Sequence, residues 1–275
     1  MKVDSKRIPP PTSITHLHLL ASLISEMRGR RALRVVDVGC GDGRLTAYLR
    51  ASIPALLPDC HVDVCGFDVS DRTPHGNDKL SAGTPTVKIG EAWPYDDVSV
   101  DVILSNQVLE HVFDHEFFFR QVARCLKPNG ASIHLFPLKS VIYEDHVGIP
   151  LAHRIRNRHW IRLMARIGFF DQARAIALPN PDHRDFAECA VDYLNKYTNY
   201  VGRREIKRLA RDAGLHASFR YTPRIYSAKA RSISNAPARY YYPNTPRLDE
   251  LWSRIGALVA GITLVLHHRG DVMRA

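Results

Sequence analysis

Apolar residues follow two alternating rhythms along the first half of this chain. Leu17, Leu20, Leu23, Ile24 and Met27 recur three and four apart, which predicts a helix over Thr15–Arg31, broken near its end by Gly29. Arg34–Val38 is a short apolar run and predicts a buried strand. Gly39–Gly43 then turns the chain, and Leu45–Leu57 has helical spacing up to Pro58. Further strands are predicted at His61–Phe67, Thr86–Ile89, Val100–Leu104 and Ala131–Pro137. Between them lie a polar loop from Ser70 to Thr84, a helix over Glu116–Cys125 and a turn at Lys127–Gly130. Strands alternating with helices imply βαβ units, a parallel sheet and right-handed crossovers that put helices on both faces.

The rhythm is lost after Pro137. Lys139–Val201 is rich in Arg, His and Pro without a clear strand. Regular spacing returns as a helix at Arg203–Ala213, stopped by Gly214, then a strand at His216–Thr222, a helix at Leu248–Val259 and a last strand at Thr263–His267. These readings divide the chain into an N-terminal arm and helix, 1–30, and one large domain, 31–275. Insertions near 139–201 and 225–250 are expected to cover the carboxyl edge of the sheet.

Composition narrows the class. The longest apolar run, Ile255–Leu266, is well short of the roughly 20 residues of a membrane helix and is flanked by Arg254 and His267. Met1–Arg7 lacks the apolar core of a secretory signal. Five cysteines with no Cys-x-x-Cys argue against a disulfide framework or zinc ribbon and fit a reducing cytoplasm. The net charge of +10 favours anionic partners. No RNA-binding module or aromatic-interleaved basic strand is visible, which argues against nucleic acid.

A strand feeding a Gly-rich turn that opens a helix is an anion-binding device, because amides at a helix start are unpaired and the helix dipole adds positive potential. The dinucleotide pattern Gly-x-Gly-x-x-Gly fails here: Arg44 stands at its third glycine, and Gly43 comes one residue early. A Gly-Lys-Ser/Thr phosphate loop is absent. Instead Asp37 precedes Gly39 by two. A buried acid there needs a cation or donors, and an α-amino group supplies both.

Val35–Gly43 resembles motif I of the class I S-adenosylmethionine (SAM) dependent methyltransferases, in their UbiE-like small-molecule branch. Gly66-Phe67-Asp68-Val69-Ser70 resembles motif II, Val98–Ile103 with Ser105–Val112 resembles the segment around strand four, and Leu126–Gly130 resembles the turn before strand five. The four occur in the family's order. The resemblance implies a Rossmann-like, doubly wound seven-stranded sheet of order 3-2-1-4-5-7-6 with strand seven antiparallel, and SAM as cofactor. It implies that Asp37, Gly39, Cys40 and Gly41 hold the methionine part. Asp68 would grip the ribose diol, with Val69 against the adenine and Glu91 near the adenine edge. Asn106 and Gln107 would flank the sulfonium.

Methyl transfer to a hydroxyl calls for positioning and a general base. The loop Tyr143–His153, just after strand five, packs two acids and two histidines where open α/β sheets bind ligands. His146 or His153 is the expected base, oriented by Glu144 or Asp145. Read as a loop only, the same residues serve capping roles. His111 is expected to pack beside the site. His111 and His115 lie four apart, yet the flanking residues offer no third ligand, so no metal site is expected. Arg154, Arg156, Arg158, Arg162 and Arg166 read either as a solvated face or as an anion site for a phosphate-bearing acceptor. Tyr240–Tyr242 could line an acceptor pocket or pack an insertion.

The sequence therefore predicts an enzyme that O-methylates a small hydroxylated acceptor, sugar-like or a secondary-metabolite intermediate, in the cytoplasm. A homo-oligomer is compatible with it. The alternatives are an RNA or protein methyltransferase and a non-catalytic SAM-binding protein of the same fold.

Overall fold

A computed structural model describes residues 9, 13–27, 29–69, 84–169, 185–226, 258 and 261–272. The strands are β1 Ala32–Val38, β2 His61–Val69, β3 Thr86–Val87, β4 Val100–Asn106, β5 Leu126–Pro137, β6 Tyr143–Glu144, β7 Ile149–Pro150, β8 Leu215–Ser218 and β9 Gly261–His268. The helices used below are α1 Ile14–Glu26, α2 Arg44–Leu56, α3 His115–Cys125, α4 Ala152–Ile155, α5 Arg158–Met164, α6 Phe186–Tyr197, α7 Arg203–Asp212 and α8 Arg269–Val272. Leu109–His111 is one 3₁₀ turn.

Seven strands form one sheet in the order β3-β2-β1-β4-β5-β9-β8. β1 to β5 pair in parallel, and β9 runs antiparallel to both β5 and β8. This is the expected sheet, with β9 in the place of strand seven and β8 in that of strand six. The strand order reverses between β1 and β4, so their carboxyl ends flank a crevice.

Alternation along the strands builds two cores. Val36, Val38, Ile103 and Phe136 face one side, against Phe118, Phe119 and Val122 of α3 and Ile206 and Leu209 of α7. Val35, Val102, Leu104 and Ile133 face the other, against Leu45, Leu49 and Ile53 of α2 and Leu17, Leu20, Leu23 and Ile24 of α1. α2 tolerates Pro54 because Pro54 and Arg50 are both exposed, so the carbonyl left without its helical partner meets water.

Three details differ from the sequence reading. Lys127–Gly130 is the start of β5 rather than a separate turn: Leu126 pairs with Val100, and the register shifts before Ala131 joins Val102, with Asn129 at φ +59. The strand at His216–Thr222 ends at Ser218, because Thr222–Tyr226 turns helical under α1 and packs Tyr221 and Ile225 into the second core. Lys139–Val201 holds the two-residue hairpin β6–β7 and α4 to α6, with a small core of its own from Val147, Ile149, Ile161, Ala190 and Leu194. Most of 225–250 and of Leu248–Val259, with Tyr240–Tyr242, lies outside the described residues. Among the described residues no helix is long and apolar enough to cross a membrane.

The end of α1 is tied to the far edge of the sheet by one acid. Glu26 accepts hydrogen bonds from Arg220, Tyr221 and His267 Nε2, the last at 3.0 Å. Burial pushes its carboxyl up, but these donors and the Arg220 charge prevail and hold it down at about 2. A carboxyl depressed in the fold stabilises above its unfolded value and loses that contribution as pH falls through the folded one. Glu26→Ala is expected to cost about 2 kcal/mol in urea unfolding near neutrality. The difference from wild type should shrink as the pH drops from 4.5 towards 2. An unchanged urea midpoint at neutral pH would show that the cluster contributes nothing.

Candidate functional site

The crevice at the ends of β1 and β4 is a cleft of about 330 Å³ lined by Asp37, Gly39, Cys40, Gly41, Asp42 and Asn106, with Ser13 and His16 of the N-terminal helix on its other wall. Gly39, Gly41 and Gly43 all have positive φ. Gly39 has a second reason to lack a side chain: a Cβ there would stand 2.6 Å from Val108 Cγ2. Gly66 on β2 is just as constrained, since its Cβ would meet Cys40 Cβ and Thr46 Oγ1 at 2.9 Å. The turn is thus wedged between β2 and the segment after β4.

The turn's amides are not free, as a phosphate-type loop would have them. Gly39 and Cys40 both donate to Phe67 O, Gly43 donates to Cys40 O, and Gly41 donates to Asp68 Oδ2 at 2.7 Å. What the loop offers a ligand is acid. Asp37 is buried, with Thr46 Oγ1 donating to its Oδ2 at 2.7 Å. Burial, then the neighbouring Asp68 charge, raise it to about 7 against the pull of Thr46. Asn106 Oδ1 is buried without a partner among the described residues. A buried acid and an orphaned carbonyl oxygen on one cleft both call for a donor-bearing cation, which the amino group of SAM would supply.

Asp68 is also buried, and its Oδ1 accepts from Val69 N at 2.7 Å. Two amides fix the carboxylate and leave each oxygen a lone pair for a diol. Asp37 and Asp68 are close enough for one charge to raise the other's pKa. Two positions sit less centrally than expected. Glu91 is exposed and its Oε2 accepts from Lys88 N, closing its own turn. Gln107 is exposed at φ +58, with its N–H donating to Leu135 O.

Beyond Val108 the chain builds a second polar cluster. Glu144 is fully buried and receives His146 Nδ1 at 2.7 Å, Tyr200 Oη at 2.6 Å and Val147 N at 2.7 Å. Burial pushes Glu144 up, yet His146 and Tyr200 hold it below the usual carboxylate range. Burial likewise pushes His146 down, but the hydrogen bond and charge of Glu144 raise it above 6.5. The His146 ring stands edge-on to His111 at 4.9 Å. His111 Nδ1 donates to Tyr197 O at 2.6 Å; burial and the His146 charge lower this ring to about 4.

The structure thus brings His146 to Glu144, while Asp145 is exposed. His153 lies apart: its Nε2 bonds Lys139 O at 3.1 Å, its ring packs on Tyr200 at 4.6 Å, and burial lowers its pKa. His115 is buried against Leu109 O and does not share a face with His111. The arginine run is largely used locally. Arg162 pairs with Asp185 and Glu188, Arg158 with Glu188, and Arg156 donates to His153 O and Thr198 O.

Sequence reasoning missed three residues. Ser13 and His16 reach the cleft because α1 packs on the sheet, and Ser13 as a helix N-cap was the available signal. Glu110 is fully buried between the two sites, and nothing in Leu109-Glu110-His111 distinguishes it from a surface acid.

Comparison with known proteins agrees with this geometry. The profile of the "Methyltransferase domain" family matches residues 14–217. The chain is 29% identical over 114 residues to a ubiquinone biosynthesis O-methyltransferase of Rhizobium etli (strain CIAT 652), covering 38% of this chain and 40% of that one. It is 29% identical over 129 residues to a malonyl-[acyl-carrier protein] O-methyltransferase of Hahella chejuensis (strain KCTC 2396), covering 45% and 43%. The chain thus spans under half the length of these relatives. A SAM-dependent methyltransferase structure from Mesorhizobium loti aligns over 92% of this chain and 99% of its own, at 15% identity and a TM-score of 0.48. With its family profile covering most of the chain, and with the sheet order and acid-bearing glycine turn in place, the protein belongs to the methyltransferase-domain family, as a class I SAM-dependent member.

Proposed function

We propose that this protein transfers the methyl group of SAM to a hydroxyl of a small-molecule acceptor. The observation that carries the reading is the pair of buried sites on either side of Val108: an acid-lined cleft suited to an amino-acid head, and a histidine cluster suited to a hydroxyl. Residues 31–275 form the catalytic domain in this reading, and 139–201 is the insertion that brings the acceptor side. Five cysteines without a Cys-x-x-Cys fit a reducing cytoplasm.

When bound, the cofactor would supply an activated sulfonium methyl for in-line transfer to the acceptor oxygen. Asp37 and Asn106 would hold its amino group, and Asp68 its ribose hydroxyls. Glu144 fixes the tautomer of His146, leaving the Nε2 lone pair to act on the acceptor hydroxyl, whose proton leaves towards that nitrogen. Tyr200 and Val147 hold Glu144 in turn. Curated relatives are named as a ubiquinone biosynthesis O-methyltransferase and a malonyl-[acyl-carrier protein] O-methyltransferase, which supports oxygen as the methylated atom.

Calorimetry with S-adenosylhomocysteine tests the cofactor half. Only ionised Asp37 attracts the ammonium, so affinity is expected to rise roughly tenfold between about pH 6 and 8, across the raised value of this acid. Asp37→Asn should bind at least tenfold more weakly and flatten that slope. Wild-type affinity in Asp37→Asn would end the assignment.

Turnover of acceptors with radiolabelled SAM tests the other half. His146→Gln is expected to lower kcat by about a hundredfold or more, with the KM for SAM within about twofold of wild type. The wild-type kcat should rise with pH through a value above 6.5, since the lone pair is needed. A wild-type kcat in His146→Gln would remove the histidine from the chemistry.

A further inference from the structure

Glu110 is the least comfortable group in the protein. Its side chain is fully buried, and neither carboxylate oxygen has a hydrogen-bond partner on another described residue. An isolated buried carboxylate is expensive. What faces it is two imidazoles. A Glu110 oxygen, a ring nitrogen of His111 and a ring nitrogen of His146 all lie within 4.8 Å of one another.

Both imidazoles are already oriented from behind. His111 Nδ1 donates to Tyr197 O, and His146 Nδ1 donates to the Glu144 carboxylate. These bonds place the lone pair of each neutral ring on Nε2. A histidine whose far nitrogen donates to a carbonyl or carboxylate is the usual arrangement behind a metal ion, because it sets the tautomer and raises ligand basicity. The backbone supports it further: Asn199 N donates to Glu110 O at 2.6 Å, and the Asn199 side chain donates to Val112 O and Phe113 O.

We propose that Glu110, His111 and His146 bind a divalent first-row transition-metal ion that holds and acidifies the acceptor hydroxyl. Two nitrogens and one carboxylate are the donor set such ions accept while keeping positions open. With bonds of about 2.0–2.2 Å, two ligand atoms stand at most about 4.3 Å apart, so closing on the ion asks for shifts of about 1 Å or less. The ion would offset the Glu110 charge and take up the two imidazole lone pairs together. It sits next to the cofactor loop, since Glu110 follows by two residues the Val108 that rests on Gly39. A hydroxyl on one of its open positions has a lowered pKa. This deepens the reading of methyl transfer to a hydroxyl and rests on it, with one change: His146 Nε2 is then a ligand of the ion, and the proton of the acidified hydroxyl leaves to water instead of to that ring.

The test is titration of the chelator-stripped full chain with Co²⁺, followed by its visible absorption, with Zn²⁺ as competitor and S-adenosylhomocysteine calorimetry on the same sample. Wild type is expected to take about one Co²⁺ per chain. Glu110→Gln and His146→Gln should each bind at least tenfold more weakly. Glu144→Gln should weaken binding about tenfold through orientation alone. Co²⁺ should raise the Tm of wild type and not that of Glu110→Gln, and methyl transfer should stop with chelator and return with metal. Circular dichroism and retained S-adenosylhomocysteine binding certify each variant as folded. Absence of a Co²⁺ spectrum, equal affinity in Glu110→Gln and His146→Gln, or turnover indifferent to chelator overturns the proposal. Co²⁺ binding without S-adenosylhomocysteine binding would leave the metal site standing and sink the methyltransferase reading instead.

Discussion

Carboxylates do not enter protein interiors without a reason, and this fold buries one at the end of each of three neighbouring segments: Asp37 on β1, Asp68 on β2 and Glu110 after β4. Their solvation is graded. Asp68 is held by two amides, Asp37 by one hydroxyl, and Glu110 by no other described residue. Asp37 and Asp68 stand close together at the edge where the strand order reverses, and Glu110 stands with His111 and His146.

The parts of this arrangement that were legible in the sequence are the local ones. Asp37, the glycines after it and Asp68 lie within short βα units, where strand, turn and helix follow one another and spacing dictates geometry. The same locality explains why the N-terminal helix, β1, α2 and β2 appear within a few residues of their expected bounds. What escaped depends on partners distant in sequence. The loop amides look free until Phe67 O and Asp68 arrive from β2. The arginines at 156, 158 and 162 look like an anion site until Asp185, Glu188 and Thr198 take them up. Glu110 reads as a surface acid until the 197–201 segment closes over it.

The segment between β5 and α7 also has a structural role of its own. Its small core of Val147, Ile149, Ile161 and Leu194 is separate from the two sheet cores, so it can hold β6 and β7 rigid without support from the strands. Main-chain hydrogen bonds then brace it: Lys139 N to Val201 O closes its two ends, Ile142 N donates to Leu258 O, and Asn199 N donates to Glu110 O across the turn after β4. Glu144 and His146 are carried on this platform and meet His111 from the opposite side. A site assembled from two independently packed bodies keeps its geometry only if the ties are short, and the 2.6 Å Asn199 bond falls on the residue with the unsatisfied acid.

The contact between Gly39 and Val108 makes the two sites one device. Val108 fills the space a side chain at 39 would need, so the cofactor turn and the 109–111 turn share a wall one side chain thick. Gly39 thus lacks a Cβ for two reasons, its positive φ and the nearness of Val108, whereas at Gly41 a Cβ would meet nothing and the backbone conformation alone asks for glycine.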